Sequence, residues 1–278
     1  MSGKNKLINL PVIKGMRTTL TTLQQMVDNN EKFTVLTCYD AIFAKILENA
    51  GVDVLLVGDS LGNVLQGHST TLSVSMDDMI YHTRCVAQGS SKALIIADMP
   101  FGSYQISPQQ AFDNAARLLA AGAQMVKIEG GNIMSETVHF LTQRGIPVCA
   151  HIGLTPQSIH QLGGYKLQGS TDKTAKQLLD DAKHLEKAGA AMMVMEVIPA
   201  RLAKKITHAL QIPTIGIGAG AGCSAQVLVL HDALGLYHLK KPRFVKDFMA
   251  GAGSIQEAVG HYVSAVKTGQ FPAQEHEF

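Results

Sequence analysis

Short apolar runs that each close on a polar or glycine-rich turn set the strongest limit on how this chain can fold. Eight can be traced, the clearest being VDVLLVGDS (52–60), ALIIADMP (93–100), AQMVKIEGG (123–131), IPVCAHIG (146–153) and AMMVMEVIP (191–199). Their ends carry Asp59, Asp98, Lys127 with Glu129, His151 and Glu196. Strands apolar along their length and polar only at one end fit a parallel sheet covered on both faces, with its chemistry at that end. The pattern predicts strands at 33–38, 53–58, 93–97, 124–129, 146–150, 191–196, 213–217 and 227–230. Helical spacing and glycine stops predict helices at 39–51, 107–122 and 172–189, with another at 199–210. This alternation favours a (β/α)8 barrel over an open doubly wound sheet. A helix over 18–30, preceding the first strand, is placed to plug the barrel's bottom. Residues 18–278 read as one barrel domain and 1–17 as a flexible basic leader, without the apolar core of a secretory signal. The polar tail KTGQFPAQEHEF is expected either to be weakly anchored or to pack on a neighbouring subunit.

Composition narrows the function classes. With 46% hydrophobic residues in 278, the chain can bury a large core. A formal charge of +2 argues against a nucleic-acid surface. No apolar stretch is long enough to span a bilayer. Cys38, Cys85, Cys149 and Cys223 form no metal-ligand spacing, and their pattern fits a reducing, cytoplasmic compartment.

The chemistry is expected at the strand ends. Side chains two apart on a strand share a face, so Lys127 and Glu129 point into the lumen and Ile128 outward. The same alternation groups Asp59 with Val57, and Glu196 with Val194. Asp59, Asp98 and Glu129 on neighbouring strands would repel one another, and a hard divalent cation, Mg²⁺ foremost, resolves that conflict. The alternative is that each acid caps a helix or makes a salt bridge. Glu196, among apolar neighbours in MEVIP, suits a general base, with a helix cap or a pair with Arg201 as the alternative. Lys127 either neutralises a substrate carboxylate or pairs with Glu129. His151 could support a developing anion, but spacing alone does not assign it. The run IGIGAGAG (215–222) either holds an anion or packs closely at the rim. GGYKLQG (163–169) reads as a mobile or tightly turned loop over the mouth.

The segments LTCYD, LVGDSLGNVLQGHSTTLSV, IADMPFGSY, MVKIEGG, HIGLTPQSIHQLGGYKLQG, MEVIP and IGIGAG, in this order, resemble the ketopantoate hydroxymethyltransferase family from about residue 18 to the tail. The resemblance implies a barrel of the phosphoenolpyruvate/pyruvate type, a Mg²⁺ requirement, a role in pantothenate biosynthesis and a homo-oligomer, commonly a decamer of two pentameric rings. It implies transfer of a hydroxymethyl group from 5,10-methylenetetrahydrofolate to 3-methyl-2-oxobutanoate through a magnesium-stabilised enolate. Residue by residue, Asp59 and Asp98 match metal ligands that also meet substrate. Glu129 matches the third acid of the metal site, directly or through water. Ser60 and Lys127 match substrate-carboxylate contacts, Glu196 the catalytic base and His151 a supporting active-site residue. One departure is CSAQ (223–226), where the family usually has Asp-Gly before Gln; it touches none of these positions. Two rival readings remain: a Mg²⁺-dependent carbon–carbon lyase on the same scaffold, for which no loop cysteine stands out, and a catalytically silent barrel, which would leave this much buried charge unused.

Overall fold

The computed structural model describes residues 17–236 and 241–278. Eight parallel strands close into a barrel: β1 (Phe33–Thr37), β2 (Val54–Val57), β3 (Leu94–Asp98), β4 (Met125–Glu129), β5 (Val148–Gly153), β6 (Met192–Glu196), β7 (Thr214–Ile217) and β8 (Ala225–Leu228). Each strand pairs with its sequence neighbour, and β1 pairs with β8 to shut the ring. The expected strand at 227–230 lies two residues too late: Leu230 begins a short helix, and its N–H donates to the Thr37 hydroxyl at 2.9 Å.

Period-2 alternation divides the barrel residues into two sets. Val35, Leu56, Ile96, Met125, Met192 and Val194 fill the lumen. Leu36, Leu55, Ile95, Val126, Ile128 and Met193 face the helices. The helix Leu20–Asp28 sends fully buried Leu23 into the lumen set, so the expected bottom plug is present. It starts where Thr19 accepts the Thr22 N–H at 3.1 Å. The expected leader falls on residues 1–16, outside the described residues, but Arg17, assigned to it, is anchored. Its guanidinium donates to Ser90 Oγ at 3.0 Å and to the Ser90 and Ala93 carbonyls at 2.6 Å.

The long connection 59–92 contains a substantial helix, Met76–Gly89, that sequence periodicity did not single out. Ser75 caps it by a reciprocal exchange with Asp78. The tail is neither loose nor wholly solvent-facing. Phe271 and His276 are buried, the Glu277 carboxylate accepts the Ala221 N–H at 3.0 Å, and the Phe278 carbonyl accepts that of Ala200 at 2.9 Å. The reason is aromatic: Phe271 packs edge-on against Phe248 and Tyr262, an attraction invisible in a mostly polar sequence.

Tyr262, on the last long helix Ile255–Lys267, ties the closing seam. Its hydroxyl lies 2.9 Å from the Val35 carbonyl on β1 and 2.8 Å from the Gln226 carbonyl on β8, and the side chain is fully buried. Tyr262→Phe would leave both carbonyls short of this donor while preserving the ring packing. We expect a loss of about 1–3 kcal/mol in urea unfolding, with the fold retained.

Candidate active site

The C-terminal ends of β2 to β6 converge on a cavity of about 790 Å³. Asp59, Ser60, Asp98, Lys127, Glu129, His151 and Glu196 all line it, so every residue singled out in the sequence reaches one place. Lys127, Glu129, His151 and Glu196 arrive by strand alternation, on β4, β5 and β6. Asp59 does not. It was grouped with Val57, but Val57 packs outward against the helices. The inward position is Gly58, where a Cβ would lie 2.7 Å from Ser60 Oγ and 3.6 Å from Asp98 Oδ2. Asp59 enters the cavity because the chain turns after β2 into the short helix Leu61–Val64, and its N–H donates to Asp98 Oδ2 at 3.0 Å.

Five ionisable side chains here are almost completely buried: Asp59, Asp98, Lys127, Glu129 and His151. Lys127 Nζ sits 3.3 Å from Asp98 Oδ1 and 3.6 Å from Glu129 Oε1. Burial opposes its charge, but the carboxylates of Asp98, Glu129 and Asp59 outweigh that and raise its pKa. Glu129 is held below its usual range: burial acts against it, while Lys127, His151 and the Gln157 N–H favour the anion. Asp59 gains less compensation. Burial, then the charges of Asp98 and Glu129, push it up to about 8. Burial also raises Asp98, against the pull of Lys127. Asp98 Oδ1 is buried with no hydrogen-bond partner; Lys127 is near enough to pair with it but lies off the hydrogen-bonding direction.

His151 bridges two acids, with Nδ1 3.4 Å from Glu129 Oε1 and Nε2 3.2 Å from Glu196 Oε2. The Lys127 ammonium, 3.2 Å from Nδ1, would suit a neutral ring. Burial and that ammonium lower the pKa, yet the two glutamates raise it to about 9. Two flanking carboxylates against one cation favour the charged ring. Glu196 is the more open member, with its side chain 15% exposed to the cavity.

Sequence reasoning missed Gln157, which lies just past β5 in the turn Pro156–Ser158. Its side-chain N–H groups donate to Asp59 Oδ2 and the Met99 carbonyl, both at 2.9 Å. Its backbone N–H donates to Glu129 Oε2 at 2.9 Å, and its side-chain oxygen accepts from the Tyr104 hydroxyl at 2.7 Å. A neutral amide in the TPQS loop carries no charge signal, and only the folded chain shows it tying three strand ends together. The Gly-rich run after β7 resolves toward packing. A Cβ on Gly218 would lie 3.0 Å from Phe244, and one on Gly220 would lie 2.5 Å from Ala200. The 163–169 loop is tightly turned, with positive φ at Gly163, Gly164 and Gly169, and it places Tyr165 on the cavity wall.

A family model described as ketopantoate hydroxymethyltransferase matches residues 17–274. The 3-methyl-2-oxobutanoate hydroxymethyltransferase of Nitrosospira multiformis is 66% identical over 263 residues, covering 95% of this chain and 100% of that protein. Its counterpart from Burkholderia multivorans is 60% identical over 260 residues, covering 94% of this chain and 96% of that one. Among solved structures, a phosphonopyruvate hydrolase complex with oxalate and Mg++ aligns with a TM-score of 0.60 at 14% identity, over 91% of this chain and 99% of that one. A 2,3-dimethylmalate lyase, described as a PEP mutase/isocitrate lyase superfamily member, aligns at 0.57 with 20% identity, over 79% and 83%. At these identities the two structures share the barrel fold alone.

Gln157→Leu removes the donors to Asp59 and Met99 and the acceptor for Tyr104. We expect it to cost about 1–3 kcal/mol by urea unfolding. Gln157→Glu adds a like charge beside Asp59 and Glu129, so at pH 8 it should be worse than Gln157→Leu, and the gap should narrow as acid protonates the new carboxylate. A glutamate variant as stable as the parent at pH 8 would mean the cluster is not short of positive charge.

Proposed function

The chain belongs to the ketopantoate hydroxymethyltransferase family, and from that premise we propose how its residues turn 3-methyl-2-oxobutanoate into ketopantoate. It is an enzyme that transfers a hydroxymethyl group to this keto acid. We take the donor to be 5,10-methylenetetrahydrofolate and the metal to be Mg²⁺.

The observation that carries the reading is the position of Glu196. Its neighbours on the cavity wall are apolar, Val194 on its own strand and Ile217, its register partner on β7. An isopropyl group fits that wall and brings its C–H to the carboxylate. Asp98 and Glu129 are held by Lys127, whereas the Glu196 carboxylate contacts the His151 ring and is open to the cavity. Glu196 takes the proton from C3, and the electron pair left on carbon bonds to the one-carbon unit that water releases from the donor as formaldehyde, with tetrahydrofolate as the leaving product; the oxygen of that unit then takes a proton and becomes the new hydroxyl. His151, with Nε2 3.2 Å from Glu196 Oε2, keeps the carboxylate oriented toward the cavity. Ser60, whose hydroxyl is 2.9 Å from that of Tyr39, and Lys127 meet the substrate carboxylate.

The residues present fit a hard cation. Asp98 has a buried oxygen without a hydrogen-bond donor, and the crowding that pushes Asp59 up to about 8 is relieved by a positive ion. Among the described residues no three His, Cys, Asp or Glu side chains surround one point closely enough to coordinate an ion. Glu129 is committed to Lys127, His151 and the Gln157 N–H, so Asp59 and Asp98 would bind directly and Glu129 through water. When bound, the ion supplies Lewis acidity at the keto oxygen.

Among the described residues no helix is long and apolar enough to cross a membrane. All four cysteines are free, which supports a reducing cytoplasmic setting. The exposed side chains of Ile42, Tyr81 and Ile106 are apolar surface that assembly into a homo-oligomer, a decamer by family resemblance, would cover.

Two measurements test the mechanism. In deuterated water, without folate, the parent should exchange the C3 proton of the keto acid in a Mg²⁺-dependent way, and Glu196→Gln should lose about 10²-fold or more of that rate while still binding Mg²⁺. Near-parental exchange in the variant would remove Glu196 from the base role. Asp59→Asn and Asp98→Asn should each weaken Mg²⁺ binding, titrated calorimetrically with keto acid present, by about tenfold or more. Unchanged titrations in both would overturn the ligand assignment.

A further inference from the structure

The keto acid does not account for the whole cavity. At about 790 Å³ it falls in the range that buries a drug-sized ligand, far larger than a five-carbon acid requires. Around the ring, β2 to β5 supply the charged cluster and β6 supplies Glu196. Loops after β2 and β5 add further wall, and one continuous stretch comes from β7, β8 and the segment after them: Ile217, Val227, Val229, Asp232, Arg243 and Phe244. Beside Glu196 the charged cluster lies on the β5 side and β7 and β8 lie on the other, so the stretch away from the charged cluster is open to the body of the one-carbon donor.

Asp232 is the odd residue there. It is half-buried on the cavity surface, and among the described residues no hydrogen-bond donor or cation pairs with its carboxylate. A half-desolvated carboxylate on a cavity wall favours a ligand that brings hydrogen-bond donors to it. Burial alone pushes it up to about 6. The keto acid, itself an anion, would be repelled. A flat heterocycle with an amino group beside a ring N–H suits a carboxylate, which accepts two parallel hydrogen bonds. Farther out, Lys241 and Arg243 are exposed at the rim. The Arg243 Nε donates to the Glu275 carbonyl at 3.1 Å, which leaves its terminal nitrogens for an anion. The half-buried carboxylate is thus the more sheltered group and the cations the more exposed, with apolar and aromatic side chains on the same wall.

We propose that this wall is the subsite for the reduced-folate donor: Asp232 holds the amino and N–H edge of the pterin, and Lys241 and Arg243 meet the carboxylates of the glutamyl tail. The assignment rests on the folate donor proposed above. It makes Asp232 a binding residue for one substrate only.

Calorimetric titration of the Mg²⁺-loaded full-length enzyme with tetrahydrofolate and with 6-methyltetrahydropterin, which lacks the tail, tests the proposal. Asp232→Asn should weaken both ligands by about ten- to a hundredfold. The double variant Lys241→Gln/Arg243→Gln should weaken tetrahydrofolate but leave the pterin within about twofold, because exposed charges act only on the tail. The C3 exchange reaction, which uses no donor, is read alongside. In Asp232→Asn it should fall by much less than folate binding does. Parental affinity for both ligands in that variant would overturn the proposal, as would an equal fall in exchange and binding, which would indicate a structural acid. Absence of exchange in the parent enzyme would instead sink the proton-removal mechanism and leave the subsite to be judged by the titrations alone.

Discussion

The site depends on a lysine that the barrel keeps almost free of water. Lys127 is 4% exposed, near Asp98 and Glu129, in a lumen whose lower layers are purely apolar. A buried ammonium without partners would lose its proton, and buried carboxylates without a cation would gain theirs. Each group stays charged because the others do, and removing any one leaves a buried charge without an answer. Strand β4 is the natural place for this balance, because Lys127 and Glu129 emerge on the same face two residues apart while Ile128 anchors the strand to the helix layer.

That balance is incomplete by design of the residue set. Lys127 and His151 offset Asp98 and Glu129, leaving Asp59 as the carboxyl that burial drives toward its neutral form. The divalent cation proposed for this site would offset that last acid, and neutralisation of the acid limits the repulsion otherwise. Gln157 serves the same economy of charge: its side-chain amide donates to Asp59 and its backbone N–H to Glu129, without adding a unit of charge of either sign. Gly153, at the end of β5, lets this side of the site close. A Cβ there would fall 2.2 Å from the Glu196 carbonyl, and φ is +94°, so glycine is what allows the ends of β5 and β6 to approach.

Much of this was legible in the sequence because parallel barrel strands write their environment in simple terms. An apolar run ending in a charged residue located the ends of β2 to β6, and period-2 alternation correctly turned Lys127, Glu129 and Glu196 inward. The same rule failed at Asp59, where the strand had already ended and a turn after Gly58 took over from alternation. It failed again at β8, where AQVL (225–228) is too short and too mixed to fix its register against the apolar residues that follow. Gln157 was not legible, since its role consists of contacts among strands distant in sequence. The tail misled for a related reason: Phe271 and Phe278 are few among polar neighbours, yet each finds an aromatic or cationic partner on the barrel.

On the proposed reading, the closed ring also separates the two substrates' chemistry. In a ring of eight strands, β4 lies across the lumen from β8, so the keto acid's charged end and the wall carrying Asp232 stand on opposite sides, with β6 on one arc between them. On the proposed assignments, Glu196 sits where two ligands of different polarity meet: an anion drawn toward Lys127 and a donor-rich heterocycle drawn toward Asp232. Neither carboxylate needs to move for the bond to form. An open doubly wound sheet has no opposing strand to supply the second wall, so the same residues spread along its edge would bind the two substrates side by side. Closure by Tyr262 across β1 and β8 thus holds the wall carrying Asp232 opposite the acid cluster, the arrangement that the proposed two-substrate site needs.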